Sequence, residues 1–127
     1  ALEAAAADGD VIEVMTKRRS GLSVGAATAV ASAGSAQGDA AALSAGMNVV
    51  SGADGTKGVV LPAAAAAGEP VLVYNAVATN GLKIYPASGD TINGGSADAA
   101  ITIEGKTLAI LYPVDATNWA AQFTANT

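Results

Sequence analysis

From Met47 onward the chain is cut into apolar runs of a few residues, each closed by glycine, proline, asparagine or aspartate. Runs this short do not sustain helices, whereas strands need only about four to eight residues between turn signals. The pattern therefore predicts a β protein. Met47 to Val50 reads as a strand, Ala53-Asp54-Gly55 as a turn, and Val59 to Leu61 as a strand stopped by Pro62. Ala63 to Ala67 has room for one helical turn before Gly68 and Pro70 close it.

In Val71 to Asn75, Val71 and Val73 share one face, and Leu72 and Tyr74 the other. Asn80-Gly81 predicts a two-residue hairpin turn with positive φ at both positions. Leu82 to Tyr85 then alternates until Pro86. Gly89-Asp90 and Asn93-Gly94-Gly95 bracket a short strand at Thr91 and Ile92. Ile101 and Ile103 share a face ahead of Gly105-Lys106, read as a second hairpin turn with glycine at the positive-φ position. Leu108, Ile110 and Tyr112 alternate up to Pro113, and Thr117 to Thr124 supplies a last strand anchored by Trp119. Regular short strands with turns between them favour a compact antiparallel β-sandwich or barrel.

The first part of the chain reads differently. Residues 1–20 are expected to form a flexible N-terminal arm, and residues 21–127 a single β domain. Val11, Ile12 and Val14 form the first apolar cluster, and Lys17, Arg18 and Arg19 the only basic run. Val11, Ile12, Lys17, Arg18 and Arg19 are candidate partner contacts, the basic triplet against an acidic patch on a neighbour. A solvated turn is the plainer reading of that triplet. Residues 20–46 are rich in Gly, Ala and Ser, with one short strand expected at Leu22 and Val24.

Composition limits what such a chain can do. Histidine and cysteine are absent, which removes the commonest general base and metal ligand and any disulfide. The formal charge of −5 argues against nucleic acid or an anionic membrane as partner. No apolar run reaches the roughly 18 to 20 residues that span a bilayer, and the start, ALEAAAADGD, lacks the form of a secretory signal. Aromatic residues make up 4% of the chain and alanine is abundant, so the core is thin and burial against other copies is expected.

No residue set selects a reaction. Gly105-Lys106-Thr107 resembles the end of a phosphate-binding loop, but the glycine required five residues earlier is Ala100. Asp8, Asp10 and Glu13 lack the further ligands and sharp-turn glycine of a calcium loop. Asp90, Asp98, Glu104 and Asp115 show no spacing that selects a catalytic pair. Asp90 reads better as a turn-fixing acceptor. Tyr74, Tyr85, Tyr112 and Trp119 read as core or interface anchors, with sugar stacking as the alternative. The residues thus point to no enzyme, no cofactor and no metal. Asn80, Gly81, Asp90, Gly105 and Trp119 are expected to be structural turns and anchors.

Three stretches occur in order: VVLPAAAAAGEPVLVYNAVATNGLKIYPASGDTINGG, AAITIEGKT and DATNW. Together they resemble a β-rich module of tailed-bacteriophage virion proteins over roughly residues 46–120. The corresponding residues are Leu61, Pro62, Asn75, Tyr85, Pro86, Gly89, Asp90, Asn93, Gly94, Gly105, Lys106, Asn118 and Trp119. The resemblance implies a structural virion part without enzymatic activity or cofactor. The leading expectation is a capsid decoration (cement) protein on the outer surface of the head. It would be made in the bacterial cytoplasm, bind the major capsid protein at capsomer junctions and assemble as a homotrimer. The alternatives are a tail, neck or fibre-associated domain, or a host-glycan-binding β module.

Overall fold

The computed structural model describes residues 27–123. The proposed arm, with Val11, Ile12, Lys17, Arg18 and Arg19, and the strand expected at Leu22 and Val24 lie outside the described residues. The described chain is built of strands with one 3-10 turn. In order these are β1 (Thr28–Ala31), the 3-10 turn (Gln37–Asp39), β2 (Ala41–Ala42), β3 (Gly46–Ser51), β4 (Gly58–Val60), β5 (Val71–Asn75), β6 (Leu82–Tyr85), β7 (Thr91–Ile92), β8 (Ile101–Ile103), β9 (Leu108–Pro113) and β10 (Asn118–Phe123).

The strands form two mixed sheets. One has six strands in the order β1-β3-β5-β9-β10-β7, and the other has four in the order β2-β4-β6-β8. From β1 to β9 each strand lies in the sheet opposite its predecessor. Among the first six strands, two crossings return the chain to its starting sheet running in its original direction, so β1–β3, β3–β5, β2–β4 and β4–β6 pair in parallel. The β10–β7 pair is parallel as well. Antiparallel pairing is confined to β5–β9, β9–β10 and β6–β8.

The expectation of antiparallel sheets is thereby corrected. Neither predicted hairpin forms, because β5 and β6, like β8 and β9, belong to different sheets. The β5 strand already has β3 and β9 on its two sides, so no side is left for β6. The Asn80-Gly81 step takes no positive φ at either residue. At the second step the left-handed position is Lys106, with φ 59°, and not Gly105. Asn93 and Gly94 supply the consecutive positive φ values, 54° and 73°, and the Gly95 N–H closes that turn on the Ile92 carbonyl at 3.0 Å.

One hydrophobic cluster lies between the sheets. Val50, Val71, Val73, Ala109, Leu111 and Trp119 enter it from the six-stranded sheet, and Val59, Leu82, Ile84 and Ile103 from the four-stranded one. Fully burying one such aliphatic side chain is worth about 1.5–3 kcal/mol. Leu43, Leu61, Ala53 and Ala64 close the cluster from the connections.

Two asparagines are buried among these apolar groups, and both are satisfied by backbone. Asn48 Nδ2 donates to the carbonyls of Ser44 (2.8 Å), Gly46 (3.1 Å) and Leu72 (3.1 Å), and its Oδ1 accepts from the Ser44 N–H at 3.1 Å. Asn75 Nδ2 donates to Asn80 O at 2.8 Å and Glu104 O at 3.1 Å, and Oδ1 accepts from the Val77 N–H at 3.1 Å. A buried amide satisfied in this way fixes the path of the loops around it.

Candidate interaction surface

Alternation along the strands assigns each residue of the six-stranded sheet to a face. Asn48, Val50, Val71, Val73, Ala109 and Leu111 point into the core and are fully buried. On the other face the residues of the central strands are also apolar, with Gln122 of β10 beside Ile110 as a polar member. Met47 pairs with Leu72 and Val49 with Tyr74, then Leu72 with Ile110 and Tyr74 with Leu108. The row continues through Tyr112, paired with Ala120. The aliphatic members and Tyr74 are half-buried, and Tyr112 is 50% exposed.

All ten strands belong to one or other of the two sheets, and the 3-10 turn packs near β4. Among the described residues no further element remains to form a third layer over this outer face. The outer face of the four-stranded sheet is different, since Lys83 and Thr102 stand on it as a cross-strand pair.

Charge is distributed with the same bias. Among the described residues the carboxylates are Asp39, Asp54, Glu69, Asp90, Asp98, Glu104 and Asp115, and every one lies outside the strands. Lys83 is the one charged residue within a described strand, and it belongs to the four-stranded sheet. The six-stranded sheet therefore carries no charged strand residue among those described. A contiguous apolar face of this kind is the usual mark of an interaction site.

The loop carboxylates serve as turn acceptors. Asp54 Oδ1 takes the N–H groups of Lys57 and Thr56, each at 3.0 Å, and the Thr56 hydroxyl at 2.8 Å. Those bonds, led by the Lys57 N–H, pull its carboxyl down to about 2. The N–H groups of Ala36 and then Ser35 lower Asp39. The Thr117 N–H, followed by the Asn118 side chain, lowers Asp115. Each effect comes from donors within a few residues of chain, which is how aspartate fixes a turn.

The residues singled out in the sequence fall into two groups away from the apolar face. Asn80, Gly81 and Gly105 meet around Asn75. A Cβ on Gly105 would overlap the Ala78 carbonyl, and a Cβ on Gly81 would meet Thr102 Cγ2 at 2.9 Å. Close approach of backbone thus requires glycine at Gly105, whereas at Gly81 only the exposed Thr102 side chain would have to shift, and neither residue takes a positive φ. Asn80 Nδ2 donates to the Ala53 carbonyl at 3.2 Å, tying this loop to the β3–β4 connection. A shallow open pocket lies here, lined by Ala78, Thr79, Gly81, Glu104 and Gly105, with Glu104 its one titratable group.

Asp90 and Trp119 form the second group. Asp90 is 6% exposed, and its Oδ2 accepts the Ala64 N–H at 2.9 Å, joining the β6–β7 loop to the turn after β4. Trp119 is 1% exposed and pairs with Ile92 and Pro113. Its Nε1–H has no hydrogen-bond partner among the described residues.

No group of three or more Asp or Glu side chains able to hold a metal occurs among the described residues. No helix among them is long and apolar enough to cross a membrane.

Met47, Val49, Leu72 and Ile110 were not among the candidate contacts read from the sequence. Their signal was present, since Val71/Val73 and Leu72/Tyr74 make both faces of one strand apolar. Strands of that kind are covered on both sides. Comparison with known proteins gives no family model, no curated protein and no solved structure that matches the chain.

Proposed function

We propose that the chain is a structural part of a tailed-bacteriophage particle, a decoration protein that binds the outer head surface and braces capsomer junctions. The observation that carries this reading is the ordered set of virion-like motifs, combined with an apolar, uncharged sheet face on an acidic body. A protein that works by adding buried area between neighbours needs an exposed apolar face, and it needs loops rigid enough to present that face. The motif residues supply the second requirement: Asn75, Asp90, Asn93, Gly105 and Asn118 all hold turns or tie loops together.

On this reading the two sheets are a β-sandwich with one outer face left for partners. The partners are the major capsid protein and further copies of the chain, as a homotrimer. The protein performs no bond-making chemistry and binds no cofactor, nucleic acid or membrane.

The test is quantitative mass spectrometry of purified particles. A decoration protein is present in many copies, in a fixed ratio to the major capsid protein. A handful of copies per particle would assign it to the tail or neck. Absence from particles, with no binding of the purified chain to empty heads, would sink the virion reading altogether.

A further inference from the structure

We infer that Asn80 is a site of spontaneous covalent modification, where the side-chain amide is lost to ring closure on the Gly81 nitrogen and aspartate and isoaspartate result. The fold leaves this site open and closes the second Asn-Gly step, Asn93-Gly94. The inference stands apart from the decoration reading and needs no partner.

The chemistry follows from the residue pair. Base removes the Gly81 amide proton, and the nitrogen adds to Asn80 Cγ. The bond from Cγ to Nδ2 breaks, Nδ2 takes up a proton from water and leaves as ammonia, and a cyclic imide joins the two residues. Water then opens the imide. Cleavage at Cγ restores the normal backbone and gives aspartate. Cleavage at the main-chain carbonyl gives isoaspartate, whose backbone runs through Cβ and Cγ. Either way an amide and water become a carboxylate and ammonium, with nothing oxidised or reduced. Glycine obstructs the attack least, because it has no Cβ. Asn48, Asn75 and Asn118 precede Val49, Ala76 and Trp119, so Asn80 and Asn93 are the described asparagines with glycine behind them.

The structure separates these two. Both are exposed, and neither Gly81 nor Gly94 donates its N–H to a described residue. The difference lies in the side chain that has to move. Asn93 is held on both amide atoms by Ala121, through Oδ1 at 2.8 Å and Nδ2 at 3.2 Å. Its own N–H donates to the Trp119 carbonyl at 2.8 Å, and Gly95 closes the turn on Ile92 at 3.0 Å. Bringing Cγ onto the Gly94 nitrogen therefore means breaking the side-chain pairing with β10. Asn80 has one side-chain bond, from Nδ2 to the Ala53 carbonyl at 3.2 Å, and its Oδ1 has no partner among the described residues. Gly81 also lines the open pocket between the β5–β6 and β8–β9 connections, so water and hydroxide reach its peptide.

The products fall on a junction that the fold uses. The Asn80 carbonyl accepts from the buried Asn75 amide at 2.8 Å. Isoaspartate makes that oxygen part of a carboxylate and lengthens the backbone by a methylene. Aspartate keeps the backbone and places its charge where the bond to Ala53 had been.

The experiment ages the purified full chain in mildly alkaline buffer, once folded and once in urea. Peptide mass spectrometry then resolves asparagine, aspartate and isoaspartate at residues 80 and 93. The ratio of the two rates in urea is the reference. Folding should shift that ratio several-fold toward Asn80, with isoaspartate among the products and a rate that rises with pH. A Cβ at residue 81 would meet Thr102 Cγ2 at 2.9 Å, so Gly81→Ala is made together with Thr102→Ser. It should slow residue 80 several-fold against Thr102→Ser alone and leave residue 93 unchanged.

A folded ratio equal to that in urea, or shifted toward Asn93, overturns the inference. A folded Asn80 that stays intact while the urea sample converts overturns it as well. So does aspartate without isoaspartate, or a rate indifferent to Gly81→Ala, since either means direct hydrolysis of the side chain without the ring.

Discussion

The side chain of Asn93 pairs with the backbone of Ala121 as another strand residue would. Its Oδ1 accepts the Ala121 N–H at 2.8 Å, and its Nδ2 donates to the Ala121 carbonyl at 3.2 Å. The β7 strand ends at Ile92, where the chain turns away through the left-handed Asn93 and Gly94. The Asn93 amide carries the ladder against β10 one step further. Asn93→Gly keeps the turn and loses both bonds, for a cost of about 1–2 kcal/mol. Asn93→Ala loses the bonds and also forces alanine to positive φ, adding about 1 kcal/mol. Denaturant unfolding of the two variants measures the difference. Equal stability of Gly and Ala would mean that φ is not the constraint.

Asn75 is a buried polar junction between two loops. Its amide holds the carbonyls of Asn80 and Glu104, which belong to two separate crossings between the sheets. Asn75→Ala leaves these acceptors without their donor inside the protein, at about 1–3 kcal/mol for each buried group. Asn75→Asp is expected to be worse, since it points a carboxylate at carbonyl oxygens. An Asp variant as stable as the parent would show that the loops reorganise freely around this position.

Strand positions were legible in the sequence, and strand partners were not. Residues 71–75 and 82–85 can be read directly from alternation and from the prolines and glycines beside them. Alternation reports which face a residue occupies and carries no record of the strand beside it. The parallel pairings join residues 20, 25, 18, 25 and 27 positions apart, as in Thr28 with Asn48, Gly46 with Val71, Ala41 with Val59, Gly58 with Lys83 and Thr91 with Asn118. Such unequal spacing leaves no repeat to detect. Asn-Gly at residues 80–81 carries the strongest local hairpin signal, yet Asn93-Gly94 is the pair with positive φ. Strands β1 and β2 went unread because the alanines of TAVA and AA carry little strand preference and show no apolar-polar alternation. The outer apolar face was visible as double-sided apolar strands, and its significance needed the sheet order.

Gly105 tests close packing between the β5–β6 and β8–β9 connections. A Cβ there meets backbone, the Ala78 carbonyl and the Val77 oxygen, so relief requires the whole loop to move. Gly105→Ala should destabilise by more than about 2 kcal/mol, within the range seen for overpacking. Lys106→Gly, at the neighbouring positive-φ position, should be close to neutral, because relief of the left-handed backbone offsets the extra freedom of the unfolded chain. Thermal unfolding of both variants separates the two effects, and a tolerated Gly105→Ala would refute the close-approach explanation.

Trp119 is the only tryptophan, so its fluorescence reports the core directly. At 1% exposure its emission should be blue-shifted and poorly quenched by iodide. Trp119→Ala removes the largest fully buried side chain and should cost about 3–5 kcal/mol. Trp119→Phe should cost clearly less, because the indole N–H it discards has no partner among the described residues. If Phe proved as damaging as Ala, that N–H must be satisfied in solution by water or by another part of the assembly.

Acid sensitivity follows from the aspartate turns. Asp54 is held at about 2, and Asp39 and Asp115 are also lowered, each by N–H donors that favour the ionised form. A carboxyl whose folded pKa lies below its unfolded value stabilises the fold fully above the unfolded pKa of about 4, and this is lost as pH falls through the folded one. Without histidine, no side chain of ordinary pKa titrates between about pH 5 and 8, so stability should be level there and decline below pH 4. Asp54→Asn keeps an acceptor for the turn but removes the charge. Its stability deficit relative to the parent should be largest at neutral pH and close as the pH approaches 2. Urea unfolding of the pair from pH 7 to pH 2 measures that gap, and a gap independent of pH would show that the Asp54 charge contributes nothing to holding the turn.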